Sequence, residues 1–266
     1  MITVGQACML GAVQGLTEFL PVSSDGHLAL LHSFIAPLPS RETLAIDVAL
    51  HAGTLAATLV YFRRDLLGML NAVRHGGADW RGRWILLIGL GSVPVALVGG
   101  LWRHQIERTF TSMTVVGVSF LATGTLLFLT RWARASRGEA DLGVRDALAI
   151  GCLQATALLP GVSRSGTTIA GGLFGGLRPD VAARFSFLLG IPAIIGAQLV
   201  ELDTILSLDP ASLRAVVAGT LVAAITGLLA IWALMRLVLS QRLHYFAFYL
   251  WPLGAFVLAA AAGGGG

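Results

Sequence analysis

The chain has 266 residues, of which 56% are hydrophobic and 12% are charged, and its mean hydropathy is +0.80. A soluble domain is roughly 45–50% apolar and about 25% charged, so the composition excludes an ordinary soluble protein and predicts an all-α polytopic membrane protein. The net charge of +4 does not indicate nucleic-acid binding, because no basic patch is interleaved with aromatic residues.

The chain begins with an apolar region, 3–33, that is interrupted at its centre by "TEFLPVSSDGHL". Proline and glycine end one helix and allow a tight turn, and we expect the next helix to begin near His27. A second apolar region, 146–177, is interrupted by "PGVSRSGTT", with a helix expected to begin near Thr167. Both regions predict re-entrant helix–loop–helix hairpins, because broken backbone at membrane depth must be buried by protein or line a polar cavity.

Six other segments predict full transmembrane helices, since each has close to the roughly 20 residues that cross a bilayer. They cover 44–62, 84–102, 113–130, 185–201, 213–235 and 245–262. Thirteen arginines fall in the loops on the side of 63–83 and three on the opposite side, so the positive-inside rule assigns 63–83 to the cytoplasm. Both termini and the entrance of the first hairpin then face outwards, and the second hairpin enters from the cytoplasm.

The two interrupted regions resemble each other. Gln14 aligns with Gln154 and Pro21 with Pro160, and three predicted spans follow each hairpin. This order predicts an inverted-topology repeat, in which two broken helices meet near the midplane and form one site. The single membrane domain 1–262 then has the halves 1–130 and 146–262, followed by a glycine tail at 263–266. A chance match of short strings is the alternative.

Charged side chains at membrane depth cost about 2.5–3.5 kcal/mol each on insertion scales, so those of the first hairpin need partners or a wet cavity. Gln14 and Glu18 lie four residues apart on one helix face; they can hold a divalent cation, accept a proton, or only stabilise the hairpin. Ser23, Ser24 and Asp25 suit helix N-caps, and capping alone is the alternative for Ser23.

Histidines and a further acid add to this set. His27 lies nine residues after Glu18, across the turn, so we expect the two side chains to face each other; a structural histidine is the alternative. Asp47 and His51 are four residues apart on the first full span, where they could support the site or form a structural pair within the bundle.

The second turn predicts an anion site. Arg164 carries a permanent charge whose planar fork fits phosphate oxygens. Neighbouring hydroxyls and glycines, together with the positive end of the following helix, favour the same ligand. An arginine that neutralises Glu18 or Asp25 is the alternative, and both roles can hold at once.

The string "QGLTEFLPVSSDGHL", followed about 140 residues later by "PGVSRSG" and then "FSFLLGIPAI", resembles the bacterial undecaprenyl pyrophosphate phosphatase family of the bacitracin-resistance type. The resemblance covers nearly the whole chain. It implies hydrolysis of the lipid-carrier diphosphate to the monophosphate with release of phosphate, which recycles a cell-wall precursor carrier. It also implies a divalent cation, Mg²⁺ or Ca²⁺, and a bacterial plasma-membrane protein whose site opens towards the periplasm.

The resemblance also assigns residues. It implies that Gln14 and Glu18 stand at the acid positions of the first motif, that Ser24 and His27 are nucleophile or acid and base, and that Arg164, flanked by Ser163 and Ser165, binds phosphate. The predicted catalytic set is therefore Glu18, Ser24, His27 and Arg164. The chemistry of the two turns adds Ser23, Asp25, Gly166, Thr167 and Thr168 to the expected phosphate-binding residues, and the residue pattern places Gln14, Gln154, Asp47 and His51 in a supporting set. Glu18 and Asp25 are the expected metal ligands. Gln14 cannot act as a base, and Asp25 stands where the family usually has threonine, which adds a negative charge that a cation would offset.

The nucleophile stays open at this point. Ser24 with His27 as its base, His27 itself, or an ordered water could attack the phosphorus. The alternative function is a transporter or flippase for a phosphorylated lipid, which would use the same anion site; a soluble-anion channel is a weaker alternative. The partners expected are membrane lipids and the polyprenyl diphosphate, with a homodimer as one arrangement.

Overall fold

The computed structural model describes residues 2–34, 40–76, 79–200, 202–206 and 209–263. Within these ranges the chain is folded almost entirely into helices. The α-helices are α1 (Val4–Phe19), α2 (Ser24–Phe34), α3 (Ser40–Tyr61), α4 (Arg63–Arg74), α5 (Trp80–Leu101), α6 (Arg103–Thr109), α7 (Met113–Leu129), α8 (Val144–Thr156), α9 (Arg164–Phe174), α10 (Pro179–Val200), α11 (Leu202–Leu206), α12 (Pro210–Leu239) and α13 (Ala247–Gly263). The predicted all-α fold is confirmed.

The spanning helices match the predicted segments. In the described part of the chain, five helical stretches are long and apolar enough to cross a membrane: Trp80–Leu101, Met113–Trp132, Pro179–Val200, Ser212–Leu239 and Leu243–Gly263. A sixth is counted if α3 and α4 form one broken span, since they meet at a bend of 68°. The polytopic architecture is therefore confirmed, with α3, α5, α7, α10, α12 and α13 covering the six predicted spans.

Two pairs of shorter helices lie where the hairpins are predicted. α1 and α2 have 16 and 11 residues, and α8 and α9 have 13 and 11, so none reaches the roughly 20 residues of a full span. The expected helix starts near His27 and Thr167 are wrong, because α2 begins at Ser24 and α9 at Arg164. The reason is capping: the preceding serine hydroxyls accept the N–H groups of Gly26 (3.3 Å) and Gly166 (3.0 Å), which starts each helix three residues early.

Glycines let the hairpins pack closely against spanning helices. A Cβ at Gly11 in α1 would lie 2.1 Å from the carbonyl oxygen of Gly219 in α12, and one at Gly151 in α8 would lie 2.2 Å from that of Gly91 in α5. Small residues permit such backbone contact between helices in lipid. The first helix of each hairpin thus packs against a span of the other half, which is the arrangement that the predicted repeat would produce; the repeat and its boundaries stay a prediction.

The tips of the two hairpins meet. A Cβ at Gly26 would lie 2.9 Å from Cα of Gly161, and the hydroxyl of Ser165 donates to the carbonyl of Leu20 at 3.3 Å. Thr123 of α7 joins the second turn from the side, because its hydroxyl donates to the Gly161 carbonyl at 3.3 Å. The polar turns predicted from the sequence are therefore brought into one region.

An ion pair stabilises the loop that leads into the second hairpin. Arg137 donates through both terminal nitrogens to the carboxylate of Asp146, at 2.8 and 2.7 Å, and the backbone N–H of Gly143 donates to the same group at 2.8 Å. Partial burial alone would raise the pKa of Asp146, but these hydrogen bonds and the arginine charge hold that pKa below its ordinary value.

Candidate active site

A cavity of about 290 Å³ lies where the hairpin tips meet. Its polar wall comes mainly from the first turn, α3 and the second hairpin, and its apolar wall comes mainly from the turn after α8 and from α10. The polar residues that line it are Glu18, Ser23, Ser24, Asp25, Asp47, His51, Gln154, Ser163, Arg164 and Gln198. The apolar lining includes Val48, Val95, Phe110, Leu158 and Ile194.

Glu18 and Arg164 form an ion pair across this cavity. Nη2 of Arg164 lies 2.6 Å from Oε1 of Glu18, and the two side chains are 16% and 6% exposed. Glu18 is in the last turn of α1 and Arg164 begins α9, so the pair joins the two hairpins. Nη1 of Arg164 is buried and has no hydrogen-bond partner among the residues that the structure describes. The arginine thus neutralises Glu18 and retains unused donor capacity for an anion.

The second oxygen of Glu18 organises the first turn. Oε2 accepts a hydrogen bond from the Ser24 hydroxyl at 2.6 Å and another from the Gln14 amide at 3.2 Å. Ser24 therefore lies beside a carboxylate that can receive its proton. His27, which the sequence analysis considers as the base for Ser24, makes its hydrogen bonds elsewhere, and Glu18 holds that position.

His27 points away from the cavity. Its Nδ1 lies 2.7 Å from the carbonyl oxygen of Ser23 and its Nε2 lies 2.8 Å from the hydroxyl of Tyr249. The ring also packs against Phe120, with centroids 5.4 Å apart. The expectation that His27 faces Glu18 is wrong: one helical turn of α2 carries the imidazole back onto the Ser23 carbonyl and towards α13.

A different histidine reaches the carboxylates. Nε2 of His51 lies 3.5 Å from Oε2 of Glu18 and 3.7 Å from Oδ1 of Asp25, while its Nδ1 lies 2.7 Å from the backbone oxygen of Asp47. The Asp47 carboxylate pairs instead with His32, at 2.9 Å. His51 is therefore in contact with the cavity acids, and the side chains of Asp47 and His51 do not form the pair considered from the sequence.

The second turn contributes fewer groups to the cavity than expected. Ser163 and Arg164 line it, and Ser163 also caps α9. Ser165 points to the first hairpin, as described above. The Thr167 hydroxyl donates to the Ser163 carbonyl at 2.9 Å, and the Thr168 hydroxyl donates to the Arg164 carbonyl at 2.7 Å. The structure therefore does not bring Ser165, Thr167 or Thr168 to the cavity, and Gly166 only supplies its N–H to the cap.

Gln154 presents a buried amide to the cavity. It is 2% exposed, and neither its nitrogen nor its oxygen has a hydrogen-bond partner in the described part of the chain. A buried amide without partners is costly, so this side chain is suited to a ligand that enters the cavity.

Gly190 of α10 was not predicted from the sequence as a site residue. A Cβ at this position would lie 2.3 Å from Nη1 of Arg164 and 2.7 Å from its Cζ. The guanidinium thus rests directly on the backbone of α10. The glycine stands inside "FSFLLGIPAI", but the motif alone does not say which side chain fills the space next to it.

The oxygen donors of the cavity suit a hard divalent cation. Glu18 and Asp25, the predicted ligands, both approach Nε2 of His51 and so share one neighbourhood. Mg²⁺ is usually held by one or two carboxylates, with phosphate oxygens and water completing its shell. The described residues contain no group of three or more His, Cys, Asp or Glu side chains arranged for a metal. A cation bound between these two carboxylates would need further ligands, such as phosphate oxygens and water.

Comparison with known proteins adds independent evidence. A family model described as "Bacitracin resistance protein BacA" matches residues 7–256. The undecaprenyl-diphosphatase of Rubrobacter xylanophilus is 44% identical over 269 residues, which cover 97% of this chain and 98% of that protein. Proteins of the same name from Methanobrevibacter smithii and Korarchaeum cryptofilum are 41% and 40% identical, over 95% and 96% of this chain and 95% and 98% of their own lengths.

Proposed function

Because this chain belongs to the bacitracin resistance protein BacA family, we propose that it hydrolyses undecaprenyl diphosphate to undecaprenyl phosphate and inorganic phosphate. The observation that carries this proposal is the buried ion pair of Arg164 with Glu18. The same carboxylate accepts a hydrogen bond from the Ser24 hydroxyl. A guanidinium that can bind phosphate, a carboxylate and a serine nucleophile are then adjacent in one cavity within the membrane. These are groups that phosphoryl transfer needs.

The cavity suggests how the substrate lies. The diphosphate would bind against the guanidinium of Arg164 and the N-terminal end of α9, whose dipole favours negative charge. Its oxygens would also meet the partnerless amide of Gln154. The apolar wall that includes Val95, Leu158 and Ile194 would contact the beginning of the prenyl chain, so the reacting phosphates sit at the polar end.

We infer that Ser24 attacks the terminal phosphorus. Its Oγ–P bond forms as the bond from that phosphorus to the bridging oxygen breaks, and undecaprenyl phosphate leaves. The serine proton passes to Oε2 of Glu18, 2.6 Å away, which stays oriented by the Gln14 amide. Glu18 passes this proton to the departing undecaprenyl phosphate and is again a carboxylate. Water then attacks the phosphoserine, its proton goes to Glu18, and Glu18 returns a proton to the Ser24 oxygen as phosphate leaves.

A divalent cation, Mg²⁺ or Ca²⁺, is part of this proposal. Glu18 and Asp25 would hold it, and it would neutralise the negative charge of the diphosphate. Support comes from the charge balance of the cavity, where Arg164 is already paired with Glu18 and the substrate brings further negative charge.

The protein is a multi-pass integral membrane protein. We propose that it lies in the plasma membrane with the cavity accessible from the outer side, as the arginine distribution over the loops favours. Single cysteines placed in the loops, labelled in intact cells with an impermeant maleimide, test this orientation. Light scattering of the purified protein tests the homodimer.

Phosphate release by the purified protein tests the function. Farnesyl and undecaprenyl diphosphate would be incubated with wild type, Arg164→Ala and Glu18→Ala, each with and without EDTA. We expect phosphate from wild type only, and much less of it with EDTA. A carrier that only moves lipid across the bilayer would release no phosphate in any arm, and that result would refute the proposal. Ser24→Ala separates a serine nucleophile, which requires the hydroxyl, from a water nucleophile, which does not.

A further inference from the structure

Ser23 has an unusual backbone conformation at the tip of the first hairpin. Its φ is +71°, the left-handed region that residues with a Cβ rarely adopt, and it is buried. Such a conformation persists only where the surrounding structure holds it. The next two residues, Ser24 and Asp25, line the cavity, so the direction of their side chains depends on this one turn.

His27 holds the turn from two sides. Its backbone N–H donates to the Ser23 carbonyl at 3.3 Å, and Nδ1 of its ring lies 2.7 Å from the same oxygen. A carbonyl oxygen only accepts hydrogen bonds, so the ring proton belongs on Nδ1. Nε2 then accepts the hydrogen bond of the Tyr249 hydroxyl, 2.8 Å away, and the two rings stack with an interplanar angle of 12°.

Both ring nitrogens of His27 are therefore engaged outside the cavity. A group that transfers a proton in the reaction must lie within hydrogen-bond reach of the reacting atoms, whereas the proton acceptor for Ser24 is Glu18. We propose that His27, held in place by Tyr249, is a positioning residue that fixes the left-handed Ser23 turn and thereby directs Ser24 and Asp25 into the cavity. This inference rests on the proposed phosphatase function.

Two histidine substitutions separate positioning from proton transfer. Asparagine keeps a nitrogen donor near the position of Nδ1 but has no imidazole to exchange protons, and alanine keeps neither. We expect kcat of His27→Ala to fall by about 100-fold, the effect of a reacting group misplaced by about 1 Å. We expect His27→Asn to stay within about tenfold of wild type, with an unchanged pH profile. Tyr249→Phe, which loses one hydrogen bond, should lower kcat by about three- to tenfold.

Two results would contradict the positioning role of His27. If His27→Asn is as inactive as His27→Ala and one limb of the pH–rate profile disappears, His27 transfers a proton and the proposal is wrong. If His27→Ala retains wild-type kcat, the turn needs no such support and the proposal is also wrong. Size-exclusion profiles and melting temperatures of all variants in detergent identify any loss that comes from misfolding.

A readout independent of activity distinguishes failure of this inference from failure of the proposed function. The protein has six histidines, and the ¹⁵N signals of His27 are those missing in His27→Asn. We expect a protonated Nδ1 and an unprotonated Nε2 that shifts in Tyr249→Phe. Protonation on Nε2 alone would overturn the inference, even if wild type releases phosphate. If wild type releases no phosphate, the proposed phosphatase function is refuted. The ¹⁵N spectrum then still tests whether His27 holds the Ser23 turn.

Discussion

A methyl group at position 190 is expected to slow the reaction by displacing Arg164. The added Cβ would lie 2.3 Å from Nη1, whereas ordinary contact begins near 3.4 Å, so the guanidinium must retreat by about 1.1 Å. Nη2 is held to Glu18 at 2.6 Å, and a retreat of this size would stretch that hydrogen bond beyond normal length. Gly190→Ala therefore moves the guanidinium of Arg164 and does not change its charge.

The size of the effect follows from the displacement. A misplacement of about 1 Å can cost about 100-fold in rate, which corresponds to about 2.7 kcal/mol of transition-state stabilisation. The effect on folding should be smaller: alanine gains about 1 kcal/mol of helix propensity over glycine, against an overpacking cost of about 1–3 kcal/mol. Activity and stability should therefore separate in this variant.

The assay is phosphate release from undecaprenyl diphosphate, with Gly196→Ala as the matched control. Gly196 is in the same helix, and a Cβ there would meet no atom within 4 Å. We expect kcat of Gly190→Ala to fall by about 100-fold and that of Gly196→Ala to stay at the wild-type value. Equal kcat values for the two variants would mean that contact with α10 does not set the position of Arg164, and the reasoning would fail.

Three further changes test other parts of the molecule. Gln154→Leu should raise KM about tenfold, because its amide is kept for the ligand, yet raise the melting temperature, because a buried partnerless amide costs about 1–3 kcal/mol; a lower melting temperature would contradict this. Glu18→Gln should destabilise the protein by about 3–5 kcal/mol by leaving Arg164 buried without its counter-charge, measured by urea unfolding, and no loss would show that the pair is solvated. Asp146 has a folded pKa below its ordinary value, so its contribution to stability is present above about pH 5 and is lost as pH falls through the folded pKa. Asp146→Asn should lower stability at pH 7 and flatten that acid dependence, and an unchanged dependence on pH would rule Asp146 out as its source.

Local chemistry in the sequence indicates that the two turns share one site, and pairing of Arg164 with Glu18 or Asp25 is one of the two roles that it allows for the arginine. Glu18 and Arg164 are ionisable groups inside two interrupted apolar regions, and the cost of leaving either unpaired in lipid predicts that they meet or share a ligand. The sequence predicts the starts of α2 and α9 three residues late. Serine caps decide those starts, and which of several adjacent serines acts as the cap depends on the turn geometry.

The choice between the two histidines could not be made from spacing. His27 is closer to Glu18 in the sequence, but four residues along α2 carry its ring back to the Ser23 carbonyl. His51 reaches the acids because α3 packs tightly on α12: a Cβ at Gly53 would lie 2.2 Å from the carbonyl oxygen of Thr220. That contact fixes the rotation of α3, and it joins residues far apart in the chain, which no local pattern reveals.

The fold and the site are coupled through the same charges. A carboxylate on α1 and a guanidinium on α9 would each carry an insertion penalty of about 2.5–3.5 kcal/mol if left alone in lipid. Pairing offsets this penalty only if both hairpin tips reach the same depth, so each hairpin needs the other to be inserted stably. Because Arg164 makes the pair with one terminal nitrogen and leaves the other without a partner in the described part of the chain, the interaction that stabilises the two hairpins also leaves donor capacity for a phosphate that enters the cavity.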